Sequence, residues 1–99
     1  MNTFDSIRQW AADRNLIMGS DPKNQMLKLI EEVGELSAAI VRGKGECAVD
    51  GIGDAVVVLT ILAAQLGVHI EDCINVAYAE IKDRKGRMVD GVFIKEGDI

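Results

Sequence analysis

Residues 55–66 read AVVVLTILAAQL, and the conformation of this run decides the fold. Valine and isoleucine favour strands, so a buried strand competes with a buried helix. Length arbitrates between them. From Glu46 to Gly67 the only turn signals are glycines, whereas strands average about five or six residues. The run also falls short of the roughly 20 apolar residues a membrane-spanning helix needs. The spacing predicts a buried core helix from Glu46 to Leu66. A helix apolar on every side needs neighbours on every side. Four helices of this length supply them only in part, so the pattern also predicts a homodimer or homotetramer.

Upstream, Asp21-Pro22 is a start signal, an aspartate cap followed by proline at the first helical position. Met26, Leu29, Ile30, Val33, Leu36, Ala39 and Ile40 recur at helical spacing from there, so a helix runs to about Arg42 and stops at Gly43. Gly43-Lys44-Gly45 leaves room only for an antiparallel return. A first helix, Thr3 to about Asn15 with Thr3 as N-cap, places Phe4, Ile7, Trp10 and Ala11 on one side. Leu16 to Ser20 is a loop. A fourth helix, Glu71 to Lys85, carries Ile74, Ala77, Tyr78 and Ile81 and is closed by Gly86. The tail RMVDGVFIKEGDI alternates around Asp90-Gly91, as a short extended or hairpin-like arm does. The expected fold is all-α: one domain over residues 1–99, four helices that oligomerise, and a short extended C-terminal tail.

Composition narrows the function classes. Ninety-nine residues with 48% apolar content make one globular domain and exclude a disordered chain. A net charge of −5 argues against a nucleic-acid polymer as partner. Cys47 and Cys73 match no zinc spacing, and the expectation is reduced, buried thiols. MNTFDSIRQW lacks the basic start and apolar core of a signal peptide. The expected location is the cytoplasm of a bacterium, or of the host if the chain is phage-encoded, with no membrane partner.

The chemistry-bearing residues are acidic. Glu31, Glu32 and Glu35 form an EExxE cluster in the second helix, with Glu31 and Glu35 one turn apart and Lys28 a turn earlier. Alone, such glutamates are ordinary solvated helix formers. Asp50 and Asp54, however, stand one turn apart at the entrance to the apolar run, where a buried carboxylate needs a partner. Folding the second and third helices antiparallel brings Glu35 and Asp54 level, about ten residues either side of the link. Two unit charges at 4 Å repel by roughly 4 kcal/mol at an effective dielectric of 20, so a cation or bound protons must intervene. Oxygen-only donors favour magnesium, or manganese, over zinc. His69 falls in a predicted loop as a surface or capping residue. Gly34, Gly51 and Gly53 cluster near these acids, either because a helix or ligand approaches the backbone or, for Gly51 and Gly53, because the helix start is loose. Lys82, Arg84, Lys85 and Arg87 gather at the end of the fourth helix, where the dipole favours cations in any case.

EExxE in one helix followed by an acidic pair in the next resembles the MazG-like all-alpha nucleoside triphosphate pyrophosphohydrolases, whose motif is EExxE, a spacer, then ExxD. Glu31, Glu32 and Glu35 match the first half and Asp54 the final aspartate. The motif's remaining glutamate is Gly51 here, and Asp50 one residue earlier is its candidate substitute. VDGIGDAVVVLTIL and EIKDRKGRMVDGVFIKEGD look like the short single-domain versions of phages and bacteria. The resemblance implies a four-helix oligomer that holds Mg²⁺ through Glu31, Glu32, Glu35 and Asp54, with Asp50 as a further ligand. It implies hydrolysis of a nucleoside or deoxynucleoside triphosphate to the monophosphate and pyrophosphate, with one of the glutamates as base. Lys28, Lys82, Arg84 and Lys85 are then candidates for phosphate contacts, and Trp10, Gln25, Asn75 and Tyr78 for base or sugar. The competing reading is a non-catalytic nucleotide- or cation-binding helical oligomer with a regulatory role.

Overall fold

The computed structural model describes residues 1–98, so Ile99, the last residue of the tail, lies outside the described residues. The chain is mostly helical: α1 (Thr3–Asp13), α2 (Pro22–Val41), α3 (Gly45–Gln65) and α4 (Ile70–Ile81) precede β1 (Gly86–Val89), β2 (Val92–Lys95) and a 3₁₀ turn (Glu96–Asp98). The 55–66 run is helical as far as Gln65, with Leu66 as the C-cap.

Local chemistry explains each start. The cap of α1 is Asn2, not Thr3. Its side chain accepts a hydrogen bond from Asp5 N at 2.8 Å while Asp5 Oδ2 accepts one from Asn2 N at 3.1 Å. Thr3 has no carboxylate three residues on with which to form this reciprocal box. Asp21 caps α2 as expected, accepting from Asn24 N at 2.8 Å with Pro22 at the first position. α4 ends at Ile81 rather than Lys85, because the chain beyond it is recruited by the tail. Gly86 opens β1 opposite Lys95, and Glu96 N donates to Lys85 O at 2.8 Å. β1 and β2 form an antiparallel hairpin about Asp90-Gly91, whose φ values of 50° and 80° suit a two-residue turn of the right twist.

α2 and α3 form the largest interface, and α1 lies against α3. They run antiparallel: one cavity joins Glu35 and Ala39 to residues 47–54, another joins Gln25 and Lys28 to residues 54–61. The buried set is Ala11 from α1, Gln25, Glu32 and Ala39 from α2, Gly51, Val58, Thr60, Ile61 and Ala63 from α3, and Ile70 from α4. Thr60 returns its hydroxyl to Val56 O at 2.7 Å. Arg8 of α1 donates to both Glu71 carboxylate oxygens, at 2.7 and 2.8 Å, and to Asp5 at 2.6 Å, which ties the start of α4 to α1. Gln65 donates to the carbonyls of Leu16 and Ile17 and holds the α1–α2 loop against the end of α3.

α2 and α3 are in close contact at Gly51. A Cβ built there would lie 3.1 Å from Leu36 Cδ1 and 3.4 Å from Leu36 Cα, whereas Gly34 and Gly53 face open space. The close-approach reading of the glycines therefore holds at Gly51 alone. Cys47 and Cys73 are free, as expected, but exposed rather than buried. α3 is also longer than its apolar run, because the helix begins at Gly45. By length and composition alone it could cross a membrane, although it packs Gly51, Val58 and Ile61 inside the fold.

Replacing Gly51 by valine should cost about 1–3 kcal/mol, since Leu36 must move, while Gly53→Ala should gain up to about 1 kcal/mol from helix propensity. Urea midpoints of the two variants check this; equal shifts would remove the close contact as the reason for Gly51. The second expectation concerns acid. The Arg8 hydrogen bond holds the Glu71 carboxyl at about 2, against an ordinary 4.5. A depressed carboxylate stabilises the fold above its unfolded value, and that contribution disappears as pH falls through its folded value. Glu71→Gln should therefore melt below wild type at neutral pH, with the two melting temperatures converging between about pH 4.5 and 2.

Candidate functional site

α2 presents its acids on two levels. Glu32 is buried at the rim of the α2–α3 interface, one turn from Lys28, whose ammonium lies 3.3 Å from Glu32 Oε1 and 3.5 Å from Glu31 Oε1. The Glu32 hydrogen bond, then the Glu31 charge, raises the Lys28 pKa. Glu31 itself points outward, with a side chain 58% exposed. Glu35, one turn beyond, lines a cavity of about 220 Å³ together with Cys47, Asp50 and Asp54 from α3. The level placement of Glu35 and Asp54 expected from the short link is what the structure shows.

Asp54 is the hub. It also lines a cleft of about 430 Å³ with Trp10, Leu16, Gln25, Lys28, Glu32, Val57, Val58 and Ile61, and a shallower one with Thr3, Ser6, Ile7 and Trp10. The cleft beside Lys28 is mostly apolar along α3, with an aromatic ring at one side and Lys28, Glu32 and Asp54 at another. Trp10 is half exposed, and the Arg14 guanidinium sits over its ring, 4.5 Å from the centroid. Gln25 is buried and donates to Ser20 Oγ at 3.3 Å.

The donor set bears on a cation. Glu35, Asp50 and Asp54 share one cavity wall, and none of their side chains has a hydrogen bond or ion pair among the described residues. Three carboxylates without a counter-charge are the chemistry a hard divalent ion satisfies. Their oxygens line the wall without converging: among the described residues no three of His, Cys, Asp or Glu stand close enough to hold a metal together. The residues match such an ion in donor type, but the structure does not gather them into a metal-holding group. Cys47 is the wall residue that sequence reasoning missed. Its spacing of three from Asp50 and seven from Asp54, one helix face, was the legible signal.

Other candidates lie elsewhere. Asn75 and Tyr78 are exposed on α4, and Lys82, Arg84 and Lys85 are exposed at and beyond its end. None of the five lines the cavities around Asp54. His69 precedes α4 in extended conformation without a side-chain cap bond, beside Arg8 at an open surface hollow. The position of the missing motif glutamate, Gly51, packs against Leu36 and also lines the cavity of Glu35, Asp50 and Asp54. Asp50, next to it, does reach the acidic wall.

No family model matches the chain. No solved structure matches it either. It is similar to a protein of Haemophilus phage HP1 (strain HP1c1) described as an uncharacterized 18.2 kDa protein in the rep-hol intergenic region, with 48% identity over 60 residues. That stretch is 61% of this chain and 37% of the phage protein, so the chain spans well under half of the relative's length.

Proposed function

We propose that the chain is a MazG-like hydrolase that cleaves a nucleoside or deoxynucleoside triphosphate to the monophosphate and pyrophosphate in the presence of Mg²⁺ or Mn²⁺. The observation that carries the reading is the position of Asp54. It stands where an unneutralised acidic cavity meets a larger, mostly apolar cleft edged by Trp10, Gln25 and Lys28. A nucleotide has the same two-part chemistry, a flat apolar base and an anionic tail.

Glu35, Asp50 and Asp54, with Glu32 nearby, would be the residues to hold a divalent ion, which would supply charge neutralisation at the phosphates. The chain's own residues do the remainder. Trp10, fixed by Arg14, offers a face for a base. Lys28, now shared between Glu31 and Glu32, can turn to a phosphate oxygen. Glu35 has no side-chain partner and is assigned the base: water attacks the α-phosphorus, its proton passes to Glu35, and the α–β bridging bond breaks to release pyrophosphate. Glu31 is assigned to holding Lys28. The basic residues after α4 and the phage provenance suggested by the relative add nothing to this step.

One observation favours the alternative, a helical module that binds nucleotide or cation without turnover. Position 51 is a glycine in contact with Leu36 where the motif has a glutamate, so the ligand set differs from the family's.

With Mg²⁺ and a panel of nucleoside triphosphates, purified protein should release pyrophosphate. Asp54→Asn should lower the rate by roughly a hundredfold or more, with an unchanged melting temperature, because Asp54 is exposed and unpartnered. Turnover retained in that variant removes Asp54 from the mechanism. Tight nucleotide binding with no pyrophosphate from wild type selects the binding module.

A further inference from the structure

We infer that Gln65, which lies outside the cleft of Trp10 and Asp54, is a positioning residue for it: its amide holds Leu16 in the wall against which the ring of a nucleotide packs. The inference rests on the reading of that cleft as a nucleotide site and adds the element that sets its grip, the α1–α2 loop.

Placement starts at the end of α1. Leu16 N donates to Ala11 O at 2.9 Å and Asn15 N to Ala12 O at 3.0 Å. These are the paired bonds of a Schellman stop, with Asn15 in the left-handed region at φ 58°. Gly19 N donates back to Asn15 O at 3.1 Å, and a side chain at Gly19 would collide with Asn15. These bonds close the loop on itself, but all of them lie within residues 11–19 and leave its approach to α3 unset.

Gln65 sets that approach. Among the described residues it alone hydrogen-bonds the loop to α3, its Nε2 donating to Leu16 O at 3.3 Å and to Ile17 O at 3.4 Å. Asp54, Val58, Ile61 and Gln65 follow at spacings of four, three and four, a single stripe of α3. The first three line the cleft, and the fourth ties down the loop one turn further on. The tie falls where the loop divides: Leu16 lines the cleft with Trp10 and Ile61, whereas Ile17 lines the separate hollow beside Arg8 and His69.

Only the donor half of the amide takes part. Both bonds are long and share one nitrogen, and Gln65 Oε1 is buried without a hydrogen-bond partner, which costs its desolvation with nothing in return. A donor-only lysine would keep the tie, at the last residue of α3 where the helix dipole favours a cation. An unbranched apolar methionine would lose it. Gln65 is eleven residues from Asp54, about 16 Å along the helix, so losing the tie weakens the hold on a ring and leaves the acids in place.

Trp10, the sole tryptophan, lines the cleft and reports its occupancy. Its fluorescence, titrated with α,β-methylene triphosphates of the four common bases, gives Kd, and pyrophosphate release from the natural triphosphates gives KM and kcat. Gln65→Met should raise Kd and KM by roughly fivefold or more, the loss of part of an apolar contact, with kcat within twofold of wild type. Gln65→Lys should restore all three. Leu16→Ala should reproduce the Gln65→Met effect, and the double variant should be no weaker than either single one, because both remove the same wall. Trypsin should cut after Arg14 faster in Gln65→Met, with helix content unchanged by circular dichroism. Wild-type Kd in Gln65→Met overturns the inference, as does an effect that adds in full to that of Leu16→Ala or a kcat that falls with affinity. Should Gln65→Met lose helix, Leu16→Ala decides, and an unchanged Kd there overturns the inference. Wild-type protein that none of the triphosphates quenches is a different failure: it removes the nucleotide reading, and the inference with it.

Discussion

The contact between Gly51 and Leu36 governs the rest of the structure. α2 and α3 can approach to this distance only because position 51 has no side chain, and the approach sets both their separation and their rotation. Once Gly51 faces Leu36, Val58 must face α2 as well, two turns along. Asp54 then falls at the edge of the interface, level with Glu32 and Glu35, and Asp50 falls one turn away on the same flank. The acidic cavity follows from that crossing and from the shortness of the Gly43–Gly45 link. The same contact lies where the motif has its glutamate, and a side chain at position 51 would press on Leu36.

The acids of this chain divide by whether a cation answers them. Asp5 and Glu71 share Arg8, and their pKa values are lowered accordingly. Glu31 and Glu32 share Lys28. Such pairs are structural, and the largely exposed ones are worth little individually. Glu35, Asp50 and Asp54 have no comparable partner among the described residues. Carboxylates gathered on one wall repel one another, and exposure to water keeps that repulsion small. The division between paired and unpaired acids separates Glu35 from Glu31 and Glu32 within the EExxE cluster.

Much of this was legible in the sequence, for physical reasons that vary by element. Asp21-Pro22 located the start of α2 because cap chemistry is local, and Asp90-Gly91 located the hairpin because few residues accept positive φ. The 55–66 run resolved to helix because length outweighs β-branched propensity. Thr3 lost the α1 cap to Asn2 because the reciprocal partner, Asp5, was not weighed. Lys82–Lys85 were read as helix although the tail claims that stretch through the Glu96 hydrogen bond to Lys85, a contact that no local pattern announces. Helical spacing and a short link place Glu35, Asp50 and Asp54 along one cavity, whereas Trp10, Gln25 and Lys28 entered as candidates through the family resemblance and line the neighbouring cleft. Asn75, Tyr78, Lys82, Arg84 and Lys85 were gathered by residue type alone, and α4 places them away from Asp54. The thiols were expected inside because free cysteine is usually buried; here Cys47 lies on the acidic flank of α3 and Cys73 in an open groove between α3 and α4.

What looked in sequence like a helix apolar on every side is three faces once the Gly51 contact is fixed. Gly51 and Val58 meet α2. Asp50, Asp54 and Cys47 form a polar flank towards the acidic cavity. Ile52, Leu59 and Leu66 form the opposite flank, which this chain leaves exposed. With about 100° between successive residues, a rotation large enough to bury the exposed flank would break the Gly51 packing and turn Asp54 away from Glu35. The apolar flank cannot be relieved within the chain without dismantling the acidic one. The arrangement of the acids and the exposure of the leucines are therefore one fact about α3, fixed by a single residue without a side chain.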